Sequence, residues 1–239
     1  MIVLEHLTKK YFGNTVVNDL SLIIKKGSVF GFLGQNGSGK TTTIKMIVGL
    51  SIPNSGTVTI AGKPSSEIAT REKIGFMPEA PYFYERLTGL EFMRFCNELF
   101  DKTHKKTDDE LLEILKTVGM EGARNRVIST YSKGMKQRLG FAQALVNNPE
   151  YIFLDEPLDG LDPIGRKETK EVIKKLKNQG KTIFFNSHIL YDTEELCDEV
   201  GIIHRGELIY AGGVQEFCKG KSLEDRFVET VEAHINKAQ

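Results

Sequence analysis

The chain has 239 residues, 40% of them hydrophobic and 27% charged, and its 32 Lys+Arg balance 32 Asp+Glu. That suits one large or two small globular domains with a substantial core. It excludes a general electrostatic drive toward nucleic acid or an anionic membrane.

Residues 2–7 alternate and predict a strand. Residues 9–14, with Tyr11 and Phe12, read as a polar turn, and 15–25 as two short strands carrying Val16, Val17, Leu20, Leu22 and Ile24. Residues 28–33 read as a short buried strand. It runs into Gly34-Gln35-Asn36-Gly37-Ser38-Gly39-Lys40-Thr41-Thr42, which fits the phosphate-loop pattern G-x-x-x-x-G-K-[ST]. A helix over 41–50 follows, with Ile44, Ile47 and Val48 on its apolar side. Strand, glycine loop and helix form the context that this pattern needs. The glycines let backbone N–H groups approach an anion with no Cβ in the way. The helix start adds partial positive charge. Lys40 can reach the β- and γ-phosphates, and the Thr41 hydroxyl can hold Mg²⁺.

Residues 57–61 predict another strand between the turn residues 53–56 and Gly62, and 74–77 a brief one ending at Pro78-Glu79. Helical patterns then take over. Thr88-x-x-Glu91 and Thr107-x-x-Glu110 are capping boxes, opening helices that run to about Phe100 and to Gly119. His104, Lys105 and Lys106 between them read as a solvated loop. A third helix starts near Ser132 with Met135, Leu139, Ala142, Leu145 and Val146 at helical spacing.

Residues 151–154 are a continuous apolar run, as in a strand buried on both faces. Asp162-Pro163 opens a helix as N-cap and first residue, Gly180 ends it, and 182–185 is another buried strand. A short acidic helix spans about 190–197, a hairpin turns at Arg205-Gly206, and Ser222 begins a last amphipathic helix. The pattern is an α/β nucleotide core interrupted near 79–148 by a helical block with no strand of its own.

Asp155-Glu156 closes the 151–154 run, where ligands of open α/β sheets sit. Asp155 can bind Mg²⁺. Glu156 points elsewhere and can deprotonate the attacking water. Ser132-Lys133-Gly134 opens a helix and is either a second anion site or a plain N-cap. His188 follows a buried strand and either touches phosphate or is structural. Tyr11 either stacks on a base or simply packs. Cys96, Cys197 and Cys218 lack C-x-x-C spacing and predict reduced thiols in a cytosolic protein, neither a disulfide frame nor a zinc site. Residues 1–5 are too short for a signal sequence, and no apolar run approaches a membrane span. Work at a membrane would need another chain to cross it.

Together GQNGSGKTT (34–42), YSKGMKQR (131–138), YIFLDEP (151–157), LDGLD (158–162) and NSH (186–188) resemble the ATP-binding cassette family, as the nucleotide-binding subunit of a transporter. The resemblance covers essentially the whole chain. It implies a single ATPase domain with a P-loop NTPase (RecA-like) α/β core, an antiparallel β subdomain and an inserted α-helical subdomain. The core would be 1–78 and 149–212, the helical subdomain 79–148 and a C-terminal helical extension 213–239. It further implies a head-to-tail pair of such domains, a second copy of this chain being the simplest partner. ATP bound by Gly34, Asn36, Gly37, Ser38, Gly39, Lys40, Thr41 and Thr42 of one would be capped by Ser132 and Gly134 of the other. Tyr11 would lie on adenine, Glu156 would be general base, His188 would meet the γ-phosphate, and Asp162 would sit in the loop coupling the two sites. Thr41, Asp155 and Glu79 would hold Mg²⁺. The segment 79–87 would touch a separate membrane permease, which places the chain in the cytoplasm on the inner face of the cell membrane, with no nucleic acid as partner.

The sequence departs from the family in two places. Tyr131-Ser132-Lys133-Gly134-Met135 stands where Leu-Ser-Gly-Gly-Gln is usual, and Glu79 where Gln is usual. Both forms resemble the exporter-type branch. Two other readings are a soluble cassette of translation or DNA repair and a regulatory module that binds ATP without turnover. The first lacks its usual second cassette or long insertion here, and intact Lys40, Asp155, Glu156 and His188 argue against the second.

Overall fold

The computed structural model describes residues 1–100 and 105–237, so His104 lies outside the described residues. In chain order the first elements are β1 (Ile2–Tyr11), β2 (Asn14–Ile24), β3 (Val29–Leu33), α1 (Lys40–Ile47), β4 (Ser55–Ile60), β5 (Lys63–Pro64) and α2 (Ile68–Arg71). Next come β6 (Ile74–Met77), α3 (Gly89–Glu98), α4 (Asp108–Thr117), α5 (Lys133–Ala144), β7 (Tyr151–Asp155) and α6 (Pro163–Asn178). The chain closes with β8 (Thr182–Ser187), α7 (Leu190–Leu196), β9 (Glu199–His204), β10 (Glu207–Gly213), α8 (Val214–Cys218) and α9 (Leu223–Lys237). By contact density the chain divides into one unit of Met1–Arg71 with Thr182–Gln239 and another of Glu72–Lys181.

The first unit holds an antiparallel sheet in the order β2-β1-β4-β5. Its two long strands correct the sequence reading. Residues 9–11 belong to β1, leaving Phe12-Gly13 as the turn, and 15–24 form one strand where two were expected. The break suggested by Asn18-Asp19 is an irregularity within a continuous ladder. The β1–β2 register shifts near Leu7, where His6 and Asp19 both take positive φ and His6 Nδ1 lies 2.8 Å from Asp19 Oδ1. Such bulges bend a pair without ending it.

The same unit places β3 between parallel partners β8 and β9, with β10 antiparallel on β9. Every residue of β3 and β8 is buried, as expected of strands covered on both faces. α8 and α9 pack Val214, Phe217, Leu223 and Val231 against Leu33, Val200 and Ile202. The last helix was expected from its apolar spacing, and five-residue α8 falls within the expected helical extension 213–239.

In the second unit β6 and β7 pair in parallel, Ile74 opposite Tyr151 and Met77 opposite Leu154. Both predicted capping boxes are present. Thr88 N–H donates to Glu91 at 2.8 Å and Thr107 N–H to Glu110 at 2.8 Å. The first of these helices ends at Glu98, short of Phe100. Gly75 is required by packing, since a Cβ there would lie 2.0 Å from the Ala144 carbonyl oxygen and 2.8 Å from Pro149 Cγ. Gly75→Ala is therefore expected to destabilise the protein by about 1–3 kcal/mol. A thermal melt with an unchanged midpoint would contradict that packing.

Cys96, Cys197 and Cys218 are not joined in disulfides, and burial pushes the Cys96 thiol up to about 12, so it stays protonated and inert.

Candidate functional site

In the first unit β3 delivers the chain into the glycine loop. Ser38 N–H donates to the Gln35 carbonyl at 3.1 Å and closes it into a turn. Gly37 and Gly39 take φ of 79° and 110°, which side chains resist. At Gly39 an added Cβ would also strike the Val16 carbonyl oxygen at 2.7 Å, and at Gly34 it would strike Ser38 Oγ at 2.4 Å. The turn at Arg205-Gly206 braces the loop from behind. Gly206 N–H donates to the Ser38 carbonyl at 2.9 Å, and Asn18 N–H donates to the Gly206 carbonyl at 2.8 Å.

Two side chains give this loop its chemistry. Lys40 is only 7% exposed, and its ammonium donates to the carbonyls of Gly34 at 2.7 Å and Gln35 at 3.3 Å. The cation is thus folded into the loop. Ser38 is 5% exposed, and its Oγ has no hydrogen-bond partner among the described residues. A buried hydroxyl without a partner costs free energy unless something supplies one. α1 begins at Lys40 with Gly39 as N-cap, no side chain capping it and no acid in its first turn. The helix end is left open to an anion. Thr41 and Thr42 are half-buried in that first turn, and Asn36 is exposed at the crest of the loop.

His188 reaches the same sheet edge. Leu33 pairs with Ser187 in the β3–β8 ladder, so Gly34 and His188 are each one residue beyond a matched pair. His188 is exposed there. Tyr11 ends β1 opposite Asn14, its hydroxyl 3.3 Å from Ser51 Oγ and its ring 5.0 Å from the Lys9 ammonium. Next to it, Phe12 is fully exposed at φ 49° on the turn tip. Tyr11 is the residue expected to stack on adenine, and Phe12, directly before Gly13 in the hairpin turn, is the more exposed ring of the two.

In the second unit Asp155 ends β7 at 1% exposure and Glu156 follows at 7%. Glu156 adopts φ 52°, so the backbone turns sharply and the two carboxylates do not continue the strand alternation. The Glu156 carbonyl accepts from Asp159 N–H at 3.1 Å and from the Gln137 side-chain amide at 3.1 Å. Gln137 was not foreseen; its spacing from Glu156 carries no local signal.

Ser132 caps α5, its hydroxyl accepting from Met135 N–H at 3.2 Å. The plain N-cap role is real here. Gly134 makes no comparable demand, for an added Cβ would meet only Leu161 Cδ2 at 3.4 Å. Lys133 pairs with Asp159 at 2.9 Å, and Asp162 caps α6 by accepting from Gly165 N–H at 2.6 Å. Glu79 is exposed just past β6. A groove of about 730 Å³ between α4, α5 and α6, lined by Val118, Phe141, Ile164 and Val172, contains none of the predicted site residues.

Comparison with known proteins points the same way. The sequence profile of the ABC transporter family matches residues 17–159, more than half of the chain. An uncharacterized ABC transporter ATP-binding protein of Synechocystis sp. is 45% identical over 82% of this chain, which spans 56% of that relative's length. A bacitracin transport ATP-binding protein of Enterococcus faecalis is 41% identical over 92% of this chain and 71% of its own. A solved dimeric ATP-binding cassette in a post-hydrolysis state, bound to ADP and Pi, superposes with a TM-score of 0.81 at 26% identity. That match covers 90% of this chain and 99% of the cassette. The antiparallel sheet, the parallel strands around the glycine loop and the helical segment are those of a P-loop NTPase. The chain belongs to the ABC transporter family.

Proposed function

We propose that this chain is the ATP-binding subunit of an ABC transporter and hydrolyses Mg-ATP to drive export through a separate membrane permease. The observation that carries the reading is the glycine loop, with a cation folded inside it and beside it the Ser38 hydroxyl, unpartnered among the described residues. A triphosphate supplies acceptors for both. The bacitracin transport relative and the dimeric cassette support transport and pairing respectively. No helix among the described residues is long and apolar enough to cross a membrane; in this reading the permease is another chain and this one works at its cytoplasmic face.

In this reading the loop 34–42 binds the phosphates, Lys40 the β- and γ-phosphates, and His188 the γ-phosphate. Glu156 takes the proton of the attacking water. Ser132 and Gly134 of a second copy close over the nucleotide, and Gly134, which the fold does not itself require, leaves room for that approach. The helical segment 79–148 presents its surface to the permease, and Asp162 links the paired sites. Thr41, Asp155 and Glu79 would hold Mg²⁺, which supplies charge neutralisation for the departing phosphate. Hard oxygen donors with phosphate and water completing the shell suit that ion.

Adenine stacks on the β1–β2 tip. Because the Lys9 ammonium already lies over the Tyr11 ring at 5.0 Å while Phe12 offers an open ring, Phe12→Ala is expected to weaken ATP binding about 5- to 20-fold. Unchanged affinity in Phe12→Ala, with the same loss in Tyr11→Ala, would move the role to Tyr11.

The test of the function is purification of the native complex from membranes with its Mg-ATP turnover. A multi-span membrane protein and ATPase activity are expected. Ribosomes or DNA in its place, or ATP bound without turnover, would overturn the reading.

A further inference from the structure

The left-handed backbone at Glu156 is the one conformation among the site carboxylates that needs holding. A non-glycine residue at φ 52° is disfavoured and persists only where its surroundings over-determine it. Two donors do so here, and both reach the same carbonyl oxygen. Asp159 N–H closes the local turn at 3.1 Å. The other is the amide of Gln137, 5% exposed, which crosses from α5 at 3.1 Å. A carbonyl has two lone pairs, and both are used. α5 is also the helix that Ser132 caps, five residues before Gln137.

We propose that Gln137 is a positioning residue for Glu156: by holding the Glu156 carbonyl it fixes the turn that aims the Glu156 carboxylate, and it ties that carboxylate to the helix capped by Ser132. The proposal rests on the reading of Glu156 as general base. It follows that movement of α5 is transmitted to the base through the Gln137 hydrogen bond. Removing Gln137 leaves the Asp159 bond in place, so the turn loosens but the chain still folds. The base then samples misaligned positions, which affects the hydrolytic step and not nucleotide binding.

The test uses the full chain with Gln137→Met, close in volume and without a donor, and Gln137→Glu, close in shape and without the N–H at neutral pH. Each is expected to lower single-turnover hydrolysis of Mg-ATP about 10- to 100-fold. ATP affinity should stay within about threefold and the thermal midpoint close to wild type. In a Glu156→Gln background, followed over long incubation, Gln137→Met is expected to cost nothing further, because the group it positions is already disabled. Wild-type hydrolysis in both variants overturns the proposal. So does a full additional loss in the Glu156→Gln background, or failure of both variants to fold, either of which makes Gln137 a structural residue. Rapid hydrolysis by Glu156→Gln alone would instead defeat the assignment of the base, so the two failures are separable.

Discussion

Lys40→Ala is expected to abolish tight ATP binding, raising the dissociation constant by about 100-fold or more. The magnitude follows from what the ammonium does. It is nearly buried and spans the carbonyls of Gly34 and Gln35, so its charge is directed into the hollow of the loop. Charge-assisted hydrogen bonds are worth roughly 1.5–3 kcal/mol each. In the proposed nucleotide complex the ammonium would make two such bonds to phosphate oxygens, and their loss would cost about 3 kcal/mol at the low end, which is a factor of about 100. The loop should survive, since its turn is closed by backbone bonds from Ser38 to Gln35 and from Gly206 to Ser38. Titration calorimetry with Mg-ATP, alongside a thermal melt, separates a binding defect from a folding defect. Lys40→Arg is not expected to rescue, because the planar fork does not fit a space shaped for a compact ammonium. Unchanged affinity in Lys40→Ala would remove the loop from the nucleotide site.

The parts of this fold that were legible in the sequence are those decided within a few residues. The caps at Thr88, Thr107, Ser132 and Asp162 are local bonds between a side chain and a backbone N–H three residues on, and all four form. The glycine loop is equally local, its shape written in the spacing of residues that tolerate positive φ. What escaped is set by distant partners. β2 continues past Asn18-Asp19 because β1 and its paired bulge hold it there, and no window of residues 15–25 contains that information. The same long β1 leaves Phe12 alone on the tip. The bond from Gln137 to Glu156 joins a helix to a strand end and has no periodicity to betray it. Ser132 serves as an ordinary cap, and that bond does not preclude the proposed nucleotide contact. The cap bond uses its hydroxyl as acceptor and leaves the hydroxyl proton available to donate.

Glu156→Gln separates binding from chemistry. The amide has the shape of the carboxylate but cannot take a proton from water, so hydrolysis is expected to fall about 10²- to 10⁴-fold. The backbone should not move. Both bonds that fix φ at 52° use the Glu156 carbonyl, from Asp159 N–H and from Gln137, and the substitution leaves that atom untouched. Replacing a carboxylate by a neutral amide also removes one negative charge from a nearly buried position, so a polyanionic nucleotide is held at least as well as before. With ATP bound but not consumed, the proposed ATP-promoted pairing would have no route to release. The variant is therefore expected to elute from size exclusion as a dimer in saturating Mg-ATP and as a monomer without it, whereas wild type returns to monomer as it turns over. A variant that stays monomeric under saturating nucleotide would break the link between the phosphate loop of one copy and the Ser132 helix of another. A variant that hydrolyses at the wild-type rate would assign the proton transfer to a different group.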